Sequence, residues 1–300
     1  MPQAVKGVVE PTKKAWTQND DIQRKPAPRH TVVMANEVKS IGFWRAVAAE
    51  FVGMFFFIFI SLASISGWNA PYIPSMVQIS LAFGLGLATS IHVTAHISGG
   101  HLNPAVSFAF LMLHRITPLR FLFYSLAQMI GAIAAAGMVR AITPADINNA
   151  LGATTPGTDV TEWQALLMEL VITYQLVLVI FATIDKRRPS SGGSGPLAIG
   201  IAVLVAHLCA IQYSGASMNP ARSLGSAVVG GVWTAHWVYW VGPMVGGLLG
   251  AITYDYILDP NVNASRLRRC TTCEYGDEED YATSDEMNLN SIQTASSEPK

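Results

Sequence analysis

The sequence predicts an all-α polytopic membrane protein with six transmembrane helices and two re-entrant half-helices arranged as an inverted repeat. Three observations carry this. Hydrophobic residues make up 51% of the chain and charged residues only 13%, with apolar runs too long for a soluble core. One short stretch occurs twice, as His96-Ile-Ser-Gly-Gly-His-Leu-Asn-Pro-Ala-Val-Ser107 and Gln212-Tyr-Ser-Gly-Ala-Ser-Met-Asn-Pro-Ala-Arg-Ser223. Each copy follows the second span of its half, and each half holds three spans. An odd number of spans per half makes the second half enter from the opposite face.

In chain order, residues 1–40 are polar and mildly basic, with Lys13, Lys14, Arg24, Lys25, Arg29 and Lys39. They read as a disordered cytoplasmic tail. No apolar run precedes Ala46, so the expectation is a first span that acts as signal anchor without a cleavable leader. The channel domain is expected over 41–258, with repeats at about 41–140 and 163–258. Its spans are predicted at about 43–66, 77–95, 118–140, 163–184, 196–213 and 234–257.

The duplicated stretch predicts the half-helices. Asn is a preferred N-cap and proline suits the first helical position, where its missing N–H costs nothing. Asn103-Pro104-Ala105 and Asn219-Pro220-Ala221 should therefore open helices at Pro104–Leu113 and Pro220–Gly230. About ten residues give roughly 15 Å, half of a hydrocarbon core about 30 Å thick. The run from Ser98 to Asn103, if extended, reaches roughly 16 Å and suffices to enter the membrane. Non-helical backbone at that depth is tolerated only where protein buries it or water lines it, so a polar path is implied.

Basic residues set the orientation. Arg115 and Arg120, Lys186-Arg187-Arg188, and Arg266, Arg268 and Arg269 all fall on one side, whereas connections 67–76 and 141–162 hold at most Arg140. Counting positive charges places both termini in the cytoplasm. The net charge of −1 argues against a nucleic-acid partner, and three cysteines make no disulfide framework.

The repeat extends past the Asn-Pro-Ala boxes. Leu81-Ala-Phe-Gly84 stands as far before Asn103 as Leu197-Ala-Ile-Gly200 before Asn219, and Glu50 in the first span has its counterpart in Glu169. Symmetry is broken where Phe83 faces Ile199, His207 faces Ile91 and Arg222 faces Val106. Arg222 is the most informative residue. A lipid-facing arginine costs roughly 2.5–3.5 kcal/mol on insertion scales, and a cation at the third helical residue opposes the positive end of the dipole. By spacing alone Phe83 reads as packing, and His207 reads equally as packing or as functional. Glu50 and Glu169 read either as a proton relay or as acceptors for loop N–H groups without helical partners, and the second reading is favoured.

Paired Asn-Pro-Ala boxes, Ser-Gly before each, Arg222 after the second and the Glu50/Glu169 pair resemble the aquaporin (major intrinsic protein) family over about residues 40–258. Among its members the chain is most similar to the orthodox water-selective animal ones. The resemblance implies the aquaporin-like fold, a homotetramer in the cell membrane with one pore per subunit, and water as permeant. It implies a selectivity constriction of Phe83, His207, Ala216 and Arg222, and a pore-lining role for His101, which by itself is open between lining and loop support. Several relatives carry cysteine where this chain has Ala216, so mercurial block through that position should be absent. Ser223 after the arginine, with Ala227 and Tyr239-Trp240, matches the water-selective pattern, whereas glycerol-conducting relatives usually carry Asp there. Selectivity by diameter, lining groups, an arginine and half-helix dipoles is the established account of such pores and is applied to this chain. No catalysis, cofactor or metal is expected.

Outside the repeats, Arg187-Arg-Pro-Ser190 fits a basic-directed phosphorylation site at Ser190. Cys270 and Cys273 follow a basic run beside the membrane, which suits palmitoylation better than a metal site. Residues 259–300 read as an acidic cytoplasmic tail. Two rivals to the channel reading are a proton-coupled transporter using Glu50 and Glu169 and a junctional protein. Short loops such as 67–76 speak against the latter.

Overall fold

The computed structural model describes residues 37–66, 73–144, 147, 150–185 and 194–258. Ser190, Cys270, Cys273, the cluster Lys186-Arg187-Arg188 and nearly all of both tails lie outside these residues. Those described form helices and no strands: α1 Ile41–Ile65, α2 Met76–Ser98, α3 Pro104–Met112, α4 Pro118–Ile142, α5 Glu162–Thr183, α6 Gly195–Ser214, α7 Pro220–Gly230 and α8 Val238–Ile252. A π-helical turn, Thr253–Leu258, continues α8. Six segments are long and apolar enough to cross a membrane, namely α1, α2, α4, α5, α6 and Val238–Leu258.

Local chemistry sets most of these ends. Ser40, Ser75, Thr117 and Ser194 accept a backbone N–H of the first turn of α1, α2, α4 and α6, as N-caps do. Thr161 and Gln164 close a reciprocal capping box at α5. Gly99, Gly215 and Gly231 end α2, α6 and α7 in the left-handed conformation.

Three sequence expectations change. Helix α2 runs to Ser98, three residues past the expected end. The sixth span starts at Val238 and not near 234, because Trp233 and Ala235 carbonyls take i→i+3 bonds from His236 and Val238 and Ala235 adopts φ 48°. The segments before the Asn-Pro-Ala boxes are not extended. They curl through positive φ at Gly99, Gly100 and Leu102, and again at Gly215, Ala216 and Met218. The cause is a buried carboxylate at the centre of each curl, described below.

Packing follows the repeat. Helix α1 packs on α2 and α4 as α5 packs on α6 and α8, and each half-helix packs against the last helix of the other half, α3 on α8 and α7 on α4. The halves meet where α2 crosses α6. A Cβ on Gly84 would lie 2.6 Å from the Gly200 carbonyl oxygen, and a Cβ on Gly200 would meet that of Gly84 and lie 2.6 Å from Ala88 Cβ. Only glycine permits backbones this close. Small residues at such crossings are the usual means of helix association in lipid, where apolar burial gives no net drive.

Gly200→Val should therefore lower the thermal unfolding temperature of the purified protein by the equivalent of about 1–3 kcal/mol or more, since backbone confronts the new methyls. Gly137→Ala, where an added Cβ meets nothing within 4 Å, should be neutral or stabilising by up to about 1 kcal/mol. Equal unfolding temperatures for the two variants would contradict this crossing.

Candidate functional site

Two fully buried carboxylates organise the non-helical segments. Glu50 Oε1 accepts from Ser98 Oγ at 2.6 Å and His101 N at 2.9 Å, while Oε2 accepts from Leu102 N and Gln128 Nε2, both at 2.7 Å. Glu169 Oε1 accepts from Ser214 Oγ at 2.6 Å and Ser217 N at 2.8 Å, and Oε2 from Met218 N at 2.7 Å. Successive N–H groups converge on one carboxylate only if the chain bends around it. That explains why non-glycine Leu102, Ala216 and Met218 hold positive φ, at a cost of order 1–3 kcal/mol each. The Ser-Gly of each motif also acquires a reason. Ser98 and Ser214 donate to the carboxylate and accept from Gly100 N and Ala216 N, and the following glycine makes the left-handed turn.

Each curl delivers its asparagine to the start of a half-helix. Asn103 Oδ1 accepts from Ala105 N at 2.9 Å, and Asn219 Oδ1 accepts from Ala221 N at 3.1 Å and Arg222 N at 3.2 Å. With the oxygen used for capping, the amino group must point away from the helix. Asn103 Nδ2 donates to the Met218 carbonyl and Asn219 Nδ2 to the Leu102 carbonyl, each at 2.8 Å. The two boxes are thus joined reciprocally, with the positive ends of α3 and α7 facing one another. Each amide retains a second N–H.

Three of the four constriction candidates come together. The Phe83 and His207 rings lie 4.2 Å apart between centroids, and the Arg222 guanidinium stands 5.1 Å from the Phe83 centroid. His207 Nδ1 sits 2.9 Å from the Val203 carbonyl. A carbonyl only accepts, so this nitrogen carries the proton and Nε2 is left as an acceptor. Arg222 Nη1 donates to the Gly152 carbonyl at 2.6 Å and Ser226 Oγ at 3.2 Å. His207 Nε2 and Arg222 Nε are buried without a protein partner among the described residues. The fourth candidate, Ala216, lies fully buried in the curl that leads to α7.

From His207 a cavity of about 130 Å³ passes Asn219 and Asn103 to His101, Phe110 and Ile184. Its walls include Ile91, Val106 and Ile199, the aliphatic mirrors of His207, Arg222 and Phe83. His101 is bonded through Nδ1 to Ser107 Oγ at 3.0 Å and packs against Phe110 with centroids 4.5 Å apart.

Several contacts were not legible in the sequence, including those of Tyr239, which the sequence marked only as part of the water-selective pattern. Tyr124 and Tyr239 hydroxyls donate to the Ser98 and Ser214 carbonyls at 2.9 and 2.8 Å. They are repeat mates, but the connection in the second half is one residue shorter, which hides the match from strict spacing. Gln128 was signalled only by being an amide inside an apolar span. Gly152 and Thr154 lie in an irregular connection with no motif, and only folding brings them to Arg222 and Ser223.

The major intrinsic protein family model matches residues 37–254. Aquaporin-4 of Rattus norvegicus is 44% identical over 245 residues, covering 80% of this chain and 76% of the relative. Aquaporin-1 of Mus musculus is 46% identical over 233 residues (76% and 87%), and Aquaporin-2 of Homo sapiens 47% over 224 residues (75% and 82%). Among solved structures, the aquaglyceroporin from Plasmodium falciparum superposes with TM-score 0.67 at 25% identity, over 73% of this chain and 98% of that one.

Glu169→Ala should leave Ser214 Oγ, Ser217 N and Met218 N without an acceptor, at about 1–3 kcal/mol each, and lower the unfolding temperature far more than Glu162→Ala. Glu162 is an acidic group at the exposed start of α5 whose single exposed hydrogen bond from Trp237 Nε1 is worth about 0.5–1.5 kcal/mol. Comparable losses from the two variants would contradict the buried-acceptor account.

Proposed function

The chain belongs to the major intrinsic protein family, and on that premise we infer that it is a water-selective membrane channel through which water moves passively under osmotic gradients while protons and ions are excluded. The observation that carries the reading is the reciprocal pair of Asn103 and Asn219 at facing half-helix N-termini, beside the cluster of Phe83, His207 and Arg222.

Each half-helix N-terminus carries about half a positive charge. A cation or hydronium between them is repelled from two sides. The remaining amide protons of Asn103 and Asn219 donate to the oxygen of a passing water and turn its hydrogens outward, which interrupts a proton wire. At the constriction, His207 Nε2 offers water an acceptor and Arg222 Nε a donor, and the guanidinium adds a fixed charge against cations. The Phe83 and His207 rings, in contact at 4.2 Å between centroids, and the guanidinium beside them fill space at the constriction that a polyol would need. This crowding, with Ser223 where glycerol-conducting relatives usually carry Asp, favours water over glycerol, although one solved relative is an aquaglyceroporin. Pro104, Ala105, Pro220 and Ala221 complete the two boxes, Ala216 gives the constriction its small side, and Glu50 and Glu169 support the loops. Four donors on Glu50 and three on Glu169 favour that role over a proton relay.

The protein is a multi-pass membrane channel. Its finer assignment is to the cell membrane as a homotetramer with both termini cytoplasmic and no catalytic activity. The charge count on the loops supports that orientation, and the resemblance to the family supports tetramer assembly.

In proteoliposomes the wild type should swell rapidly in water gradients without carrying current, and should exclude glycerol. His207→Ala should raise glycerol permeability severalfold while retaining water flux, and unchanged glycerol exclusion would remove His207 from the constriction. Mercuric ion should leave wild-type flux unchanged and block Ala216→Cys. Block of the wild type would point to Cys209 or the C-terminal cysteines instead.

A further inference from the structure

His101 is held by a chain of hydrogen bonds that begins at Gln128, which does not line the cavity. Gln128, buried on α4, uses one atom for two contacts: Nε2 donates to Glu50 Oε2 at 2.7 Å and to Ser107 Oγ at 3.2 Å. Its Oε1 is buried without a partner among the described residues. Glu50 already takes donors from Ser98, His101 and Leu102. A carboxylate only accepts, so the amide must turn its NH₂ toward it. The Ser107 hydroxyl then receives a proton from Gln128 and directs its own to the remaining contact, His101 Nδ1 at 3.0 Å.

We propose that Gln128 is a positioning residue that fixes the proton of His101 on Nε2 through the Ser107 hydroxyl, so that this histidine meets permeating water as a hydrogen-bond donor. His207, whose Nδ1 is committed as a donor to the Val203 carbonyl, meets it as an acceptor. The two histidines that line the same cavity thus hold opposite tautomers, each set by its protein partner. A water passing from His207 to the Asn pair to His101 meets an acceptor, then donors.

The second half supports this independently. Its repeat mates of Ser107 and His101 are Ser223 and Ser217, whereas the mate of Gln128 is Pro243, which has no side-chain donor. A donor from another element replaces it. Thr154 Oγ1 donates to Ser223 Oγ at 2.8 Å, Ser223 and Ser217 hydroxyls lie 2.5 Å apart, and Ser217 Oγ donates onward to the Asn219 carbonyl at 3.0 Å. In both halves the serine four residues after the asparagine is loaded from outside and passes its proton to the residue two before the asparagine.

The functional consequence rests on His101 lining the water path, but the tautomer is measured separately from flux. The test is solid-state nitrogen NMR of ¹⁵N-histidine-labelled full-length protein in lipid vesicles at mildly alkaline pH, with His101 signals identified by their loss in His101→Ala. Wild type should show a bare Nδ1 and a protonated Nε2. Gln128→Glu should invert the pattern, because a shared carboxyl proton held toward Glu50 leaves an oxygen that accepts from Ser107 and turns the serine toward accepting from His101 Nδ1–H. Gln128→Leu should give a mixture of tautomers. A wild-type Nδ1–H form would overturn the proposal, as would an unchanged single Nε2–H form in either variant. Slower swelling with an unchanged tautomer would indicate damage to the pore and count against Gln128 as the positioning group.

Discussion

Backbone that leaves the helical ladder inside a membrane needs acceptors for its N–H groups, and here each re-entrant segment finds them on one buried carboxylate. Glu50 and Glu169 draw consecutive N–H groups to one point, which bends the chain into left-handed turns and presents the next asparagine to the start of a half-helix. Everything at the centre of the molecule follows from that bend. An apolar side chain in place of either glutamate would leave buried donors unsatisfied, and an extended loop would carry the asparagines away from one another.

The asparagines then couple the halves. Because each amide oxygen is consumed as a helix cap, each amino group is free to cross to the opposite loop, and the two bonds formed there are equivalent under the repeat. The Gly84–Gly200 crossing of α2 and α6 lies on the same pseudo-symmetry element. Close backbone approach and reciprocal amide bonds therefore hold one interface from two places. The cavity passes through that junction, so the groups that hold the halves together also line the space between them.

The halves depart from symmetry at one cluster. Ile91, Val106 and Ile199 line the cavity as aliphatic side chains, while their mates His207, Arg222 and Phe83 cluster together, with His207 at the cavity wall. Arg222 is tolerable there because its guanidinium finds the Gly152 carbonyl and Ser226 hydroxyl, while its buried Nε has no partner among the described residues. The loop carbonyl offsets part of the cost of placing a cation at a helix N-terminus.

The sequence by itself determined the spans, the inverted repeat, both half-helices and the identity of the asymmetric positions, because hydropathy, N-cap chemistry and internal duplication are local or register-preserving signals. Ser-Gly before each box was visible, though its reason was not. The tertiary structure alone decided the curl of the segments that spacing permitted to be extended, since a carboxylate about fifty residues upstream sets their φ angles. It alone brought Gly152 to Arg222, Thr154 to Ser223 and Gln128 to Ser107, and the Tyr124 and Tyr239 hydroxyls to the Ser98 and Ser214 carbonyls. Each of these is a contact between elements with no periodicity to announce it. A linear pattern records which groups a chain owns, whereas the direction in which a hydroxyl or amide points is fixed only by the partner that folding supplies.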